Sequence, residues 1–119
     1  MTLRVYVSGP MTGLPELNFD AFARAAQALR AAGYDVVNPA VLNAPDVGWH
    51  ECLKVDIQAL CLCNALALLP GWTRSKGSHL ELQIAHRLGY EIGTVDEFLA
   101  AADRPDLTRP RLDYRTTHG

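Results

Sequence analysis

Strand-like and helix-like segments alternate along this chain, and glycine, proline and asparagine punctuate the junctions between them. Leu3-Arg4-Val5-Tyr6-Val7 is rich in β-branched and aromatic residues and stops at Ser8-Gly9-Pro10, which predicts a first strand. Asn18 is placed to cap a helix from Phe19 to about Ala32, with Asp20 in its first turn and Gly33 as its stop. Tyr34–Val37 predicts a second strand ended by Asn38-Pro39. A helix from His50 to about Leu62, a strand at Ala65–Leu69 and a helix entered through a glycine-rich loop near Gly77 follow. Tyr90–Val95, weakened by Gly93, and a short helix at Asp96–Ala102 complete the series. This order predicts an α/β open sheet of four to five mostly parallel strands with helices on both faces. Ligands of such sheets bind beyond the carboxyl ends of the strands, where the strand order reverses. Three long Gly/Pro-rich loops, after the first, second and third strands, should emerge at that edge.

The 119 residues suit one domain over residues 1–102, followed by a polar tail over 103–119 that holds two prolines and four arginines. A net charge of −2 provides no electrostatic footprint for a nucleic-acid polymer or an anionic membrane. No apolar run approaches the ~20 residues that a membrane span needs, and Leu3–Val7 lacks the form of a signal peptide. A cytoplasmic protein is expected. Cys52, Cys61 and Cys63 make no even framework and no Cys-x-x-Cys pair, so reduced, buried thiols are expected. A zinc site from His50, Cys52, Cys61 and Cys63 is arithmetically open, but the Cys-x-Cys spacing disfavours it. No metal and no cofactor is expected.

Two carboxylates fall on apolar helix faces. In Gly77-Ser78-His79-Leu80-Glu81-Leu82-Gln83-Ile84-Ala85-His86-Arg87-Leu88, the helical period groups Leu80, Ile84, Ala85 and Leu88 in a stripe, and Glu81 lies inside it. A bare carboxylate there is costly unless something pairs with it or uses it. Ser78-His79-Leu80-Glu81 also matches the capping box, which would place Glu81 in the first turn as an ordinary cap. Thr94-Val95-Asp96-Glu97 has the same pattern where nothing suggests a site, and serves as an internal control. In the His50–Leu62 helix, Cys52, Leu53, Val55, Ala59 and Leu60 make the predicted buried stripe, and Asp56 sits in its middle. Asp forms helices poorly and has no cap to make there. Either it is satisfied structurally by a backbone N–H or an arginine, or it works in a site.

Thr73, Arg74, Ser75, Lys76, Gly77 and Ser78 precede a helix N-terminus, a composition that suits an anion such as a 5′-phosphate as well as an ordinary solvated loop. It lacks the Gly-x-x-x-x-Gly-Lys-[Ser/Thr] order of a nucleoside-triphosphate loop. Trp49 and Trp72 lie at the expected ligand edge, where a base could stack, although Trp49 is expected rather to cover the core. His79 and His86 are expected to be surface histidines.

Together these residues resemble the nucleoside 2-deoxyribosyltransferase-like group, whose fold is flavodoxin/Rossmann-like. They are closest to a small phage and bacterial branch of unknown function, DUF4406-like. The stretches that carry the resemblance are Tyr6-Val7-Ser8-Gly9-Pro10-Met11-Thr12-Gly13, Gly33-Tyr34-Asp35-Val36-Val37-Asn38-Pro39, Asp56-Ile57, Leu69-Pro70-Gly71-Trp72 and Ser75 to Ala85. The resemblance implies that Glu81 is the nucleophile at the anomeric carbon and that Asp56 positions the base or the nucleophile. It also implies substrate contacts from Tyr6, Ser8, Gly9, Pro10, Met11, Trp72, Ser75, Lys76, Gly77 and Ser78. Ser75 stands where the transferases carry a base-contacting Asp, and Gln83 where they carry Gly. Arg74 and Lys76 make the loop resemble that of phosphate-accepting nucleotide N-hydrolases. The expected function is cleavage of, or transfer across, the N-glycosidic bond of a (deoxy)nucleoside or its 5′-monophosphate. The alternative is a nucleotide-binding module or sensor of the same fold without glycosyl chemistry. A homo-oligomer, dimer or larger, is expected by resemblance alone.

Overall fold

The computed structural model describes residues 3–42 and 47–103. Four strands, β1 (Arg4–Ser8), β2 (Asp35–Val37), β3 (Ala65–Leu68) and β4 (Glu91–Thr94), form one sheet in the order β2-β1-β3-β4. Every pair is parallel. The helices are α1 (Phe19–Ala31), α2 (Trp49–Cys61), α3 (Lys76–Arg87) and α4 (Val95–Asp103). Residues 104–119 of the polar tail lie outside the described residues, and α4 runs one residue past its predicted end. Among the described residues no helix is long and apolar enough to cross a membrane.

The period of two along β1 sorts its side chains between two layers. Val5 and Val7 enter the core built with α1 and α4, around Phe22, Leu29 and Phe98. Tyr6 faces the other core, with Leu60, Leu66, Leu68 and Leu82, under α2 and α3. Ser8 shares the Tyr6 side, so β1 delivers two hydroxyls in register to the α2/α3 face. Strand order reverses between β1 and β3: the chain steps from β1 outward to β2, then returns across to β3. Their carboxyl ends pack closely. Leu69 N–H continues the ladder to Ser8 O at 2.8 Å, and a Cβ on Gly9 would lie 2.7 Å from Leu69 Cβ. Glycine at that position is a requirement of close approach.

Helix α1 ends as the sequence predicts. Gly33 takes φ of 102°, and Tyr34 N–H bonds back to Leu29 O at 3.1 Å. Its start differs from expectation. Asn18 makes no side-chain cap and has φ of 62°; its Nδ2 donates instead to Pro10 O at 2.9 Å. Glu16 and Leu17 are left-handed too, at φ of 50° and 53°. Three consecutive non-glycine residues in this region are costly, at roughly 1–2 kcal/mol each in a left-handed helix.

Helix α2 departs from its predicted stripe. Leu60 alone among its described residues is buried, Val55 is exposed, and Trp49 opens the helix at 51% exposure instead of covering the core. The C-terminal end of α2 packs on the sheet. Its N-terminal half overhangs the carboxyl edge, where its apolar side meets a cavity. The thiols are also unlike one another: Cys63 is buried, Cys52 half-buried and Cys61 exposed.

Candidate active site

A cavity of about 670 Å³ opens at the carboxyl end of β1, beside which the strand order reverses. Its floor is polar and buried. Tyr6, Ser8, Ser78 and Glu81 line it, and none exceeds 6% exposure. Tyr6 Oη donates to Glu81 Oε2 at 2.5 Å, and Ser8 Oγ donates to Glu81 Oε1 at 2.7 Å. Ser8 and Ser78 hydroxyls lie 2.9 Å apart. A hydroxyl has one proton, so when Ser8 donates to Glu81, Ser78 donates to Ser8. The result is a directed chain of hydroxyls ending on one carboxylate.

Two opposing influences act on that carboxylate. Burial pushes Glu81 upward and dominates, the Tyr6 and Ser8 hydroxyls pull it down, and the charge of Asp56 raises it again, leaving it at about 7. Tyr6 is held well above its ordinary value by burial first, then by the charges of Glu81 and Asp56. The influence of Asp56 on Glu81 fits their placement: both line this cavity, on the same side of the sheet.

The capping-box reading of Glu81 does not survive. Helix α3 begins at Lys76, one turn earlier than that reading requires, because Ser75 caps it: Ser75 Oγ accepts from Ser78 N–H at 3.1 Å. Glu81 is therefore in the second turn, with its side chain directed to β1. The control pattern does form the box. Thr94 N–H donates to Glu97 Oε1 at 2.9 Å and Glu97 N–H to Thr94 Oγ1 at 3.1 Å. The apolar stripe of α3 is corrected in part: Ala85 is buried as predicted, Leu82, predicted outside the stripe, is buried beside Glu81, and Leu88 is 53% exposed.

The walls come from four places. Trp49, Cys52, Leu53 and Asp56 supply an i, i+3, i+4, i+7 stripe of α2. Gly9, Pro10, Met11 and Thr12 bring the loop after β1. Arg74, Ser75, Lys76 and Gly77 bring the start of α3, with both cations exposed at the mouth. Leu17, Phe22, Pro39 and Val47 complete the apolar rim. A Cβ built on Gly77 would meet nothing nearer than Ser75 Oγ at 3.9 Å. The glycine there leaves backbone bare toward the cavity and fills no packing need.

Of the residues singled out from sequence, Tyr6, Ser8, Gly9, Pro10, Met11, Asp56, Ser75, Lys76, Gly77, Ser78 and Glu81 share this one cavity. Trp72 is not in its wall. Its ring lies 5.4 Å from that of His79, against the core under α2 and α3. His79 is correspondingly half-buried, with Nε2 2.7 Å from Thr73 O. Cys52 and Leu53 of the α2 stripe and the rim residues Leu17 and Val47 are not marked as site residues by the sequence. The i, i+3, i+4, i+7 run that includes Asp56 was the signal available for the first; nothing local marks the second.

Fold and site together define a parallel α/β domain with a carboxylate-floored cavity at its switch point. The chain belongs to the family described as Domain of unknown function (DUF4406), which matches residues 3–94. No curated protein matches it.

Proposed function

We propose that this protein cleaves the N-glycosidic bond of a (deoxy)nucleoside 5′-monophosphate or nucleoside, with Glu81 as nucleophile and hydrolysis favoured over transfer to another base. The observation that carries the reading is a buried carboxylate held by two hydroxyls on a cavity floor, with a second carboxylate in the same cavity. In this mechanism the ionised Glu81 attacks the anomeric carbon as the carbon–nitrogen bond breaks. The bonding pair leaves with the base, which takes a proton from Asp56 or from water. Water then releases the sugar from its ester with Glu81. Tyr6 and Ser8 keep the nucleophile oriented, and they offset part of the burial that favours its protonated form. Arg74, Lys76 and the backbone N–H groups of Lys76 and Gly77 at the start of α3 suit a 5′-phosphate at the mouth. The superfamily resemblance supports the same chemistry, and with it a homo-oligomer working in the cytoplasm, whose size sedimentation would read.

A second reading has an observation of its own. Both oxygens of Glu81 are already engaged, so the residue also serves as a strut between β1 and α3, as in a nucleotide-binding module without chemistry.

Purified protein incubated with a panel of nucleosides and their 5′-monophosphates should release free base, detectable by chromatography. Glu81→Ala should lower that rate by about 10³-fold or more, and Glu97→Ala should leave it unchanged. Binding without base release from every member of the panel would sink the enzymatic reading and leave the module.

A further inference from the structure

The segment before α1 holds a conflict between its sequence and its conformation. Pro15 suits the first position of a right-handed helix, and Glu16 adds an acidic residue to a first turn. Leu14 before them is already extended, at φ −98° and ψ 153°, as a residue flanking a helix N-terminus should be. Yet Glu16, Leu17 and Asn18 are all left-handed, and α1 starts only at Phe19. Strained backbone of this kind persists only where surrounding contacts over-determine it. Few contacts do so here. No residue of Pro15–Asn18 is buried, and its hydrogen bonds among the described residues are local: Leu17 N–H to Leu14 O at 3.0 Å, Phe19 N–H to Glu16 O, and Asn18 Nδ2 to Pro10 O at 2.9 Å.

The two conformations place Leu17 differently. In the left-handed turn it lines the cavity. Continued as right-handed helix from Pro15, α1 would gain about one turn, and Leu17 would sit about 140° round the axis from Phe22. That is the water-facing side, where exposed Asp20 and Arg24 form their ion pair. We propose that Pro15–Asn18 is a two-state strap on the cavity: the left-handed turn sets Leu17 in the wall, and the right-handed turn lengthens α1 and withdraws it. Access to the cavity then depends on a local helix transition. The strap works in this way whatever ligand the cavity takes.

Glu16 gives a clean lever, because its side chain is exposed and glycine accepts the left-handed region that alanine resists. Cys52 gives the readout from within the cavity wall, and exposed Cys61, which is not in that wall, is the control. In the full chain, labelling by a bulky maleimide is followed at each thiol by mass spectrometry. Glu16→Ala should speed labelling of Cys52 and Glu16→Gly should slow it, with at least about a tenfold difference between the pair. Cys61 should react at one rate in both. Equal Cys52 rates in the two variants, or a change of the same size at Cys61, would overturn the strap.

Discussion

Both oxygens of Glu81 accept from hydroxyls on β1, and neither hydroxyl brings charge. Burial is therefore not fully compensated, and the carboxyl sits at about 7 against an ordinary 4.5. The sign of the resulting linkage is definite. A folded-state value above the unfolded one contributes stability that is full below the unfolded value and is lost as pH rises through the folded value. The wild-type protein should thus lose about 3 kcal/mol of stability from this residue between pH 4.5 and about 7. Glu81→Gln removes the titration. It should match wild type at pH 4.5 and exceed it by up to about 3 kcal/mol at pH 8, as read by urea unfolding at the two pH values. A variant equal to wild type at both would mean that the carboxylate is not buried in solution. The oddity of Glu81 was legible from its apolar neighbours alone. Its partners were not, because Tyr6 and Ser8 lie far away in sequence and only the pleat of β1 aims them together.

Helix starts were the least legible level, and α3 shows why. Ser75 and Ser78 are both hydroxyl residues with helix formers behind them, and local pattern cannot choose between them. The structure chooses Ser75 because Ser78 is needed as a buried partner for Ser8. Ser75→Ala should therefore cost about 1 kcal/mol in unfolding free energy, in the range of a lost cap. Thr94→Ala, which breaks the complete box at α4, should cost a similar amount by the same measurement. A null effect at Ser75 would return the cap to Ser78 and Glu81 to the first turn. Helix α2 teaches the complementary lesson. Its apolar periodicity predicted one buried face over Cys52, Leu53, Val55, Ala59 and Leu60, but Trp49, Cys52, Leu53 and Asp56 meet a cavity and the helix meets the sheet only near Leu60. Amphipathicity locates a face and says nothing of whether protein or ligand covers it. Val55 was assigned to that face and lies exposed.

At the scale of the molecule, alternation of segments was enough to predict a parallel α/β sheet with helices on both sides and loops gathered at one edge. Strand order was not predictable from alternation, since each right-handed crossover leaves several neighbours open. The order found puts β1 against β3 and squeezes their ends beneath the cavity. Two glycines of the site therefore answer differently to a methyl group. Gly9→Ala should lower stability by about 1–3 kcal/mol through overpacking against Leu69. Gly77→Ala should hold or slightly raise the melting temperature, because helix propensity favours alanine by up to about 1 kcal/mol; under the proposed function it should also weaken nucleotide binding at the narrowed mouth. Calorimetry of the two variants checks the first contrast, and titration with a nucleoside monophosphate checks the second.

The central ladder also sets when the molecule can become itself. β1 has to wait for β3, with Val5 beside Ala65, and the Tyr6 hydroxyl waits 75 positions for its carboxylate. Closing so long a loop precedes any gain from the contacts it brings, so non-local parallel pairing makes for slow folding. A nascent chain that ends before α3 holds the hydroxyls and lacks the residue that they are aimed at. Assembly of the cavity floor and completion of the sheet should then be one late kinetic event, with refolding slow for a domain of this size.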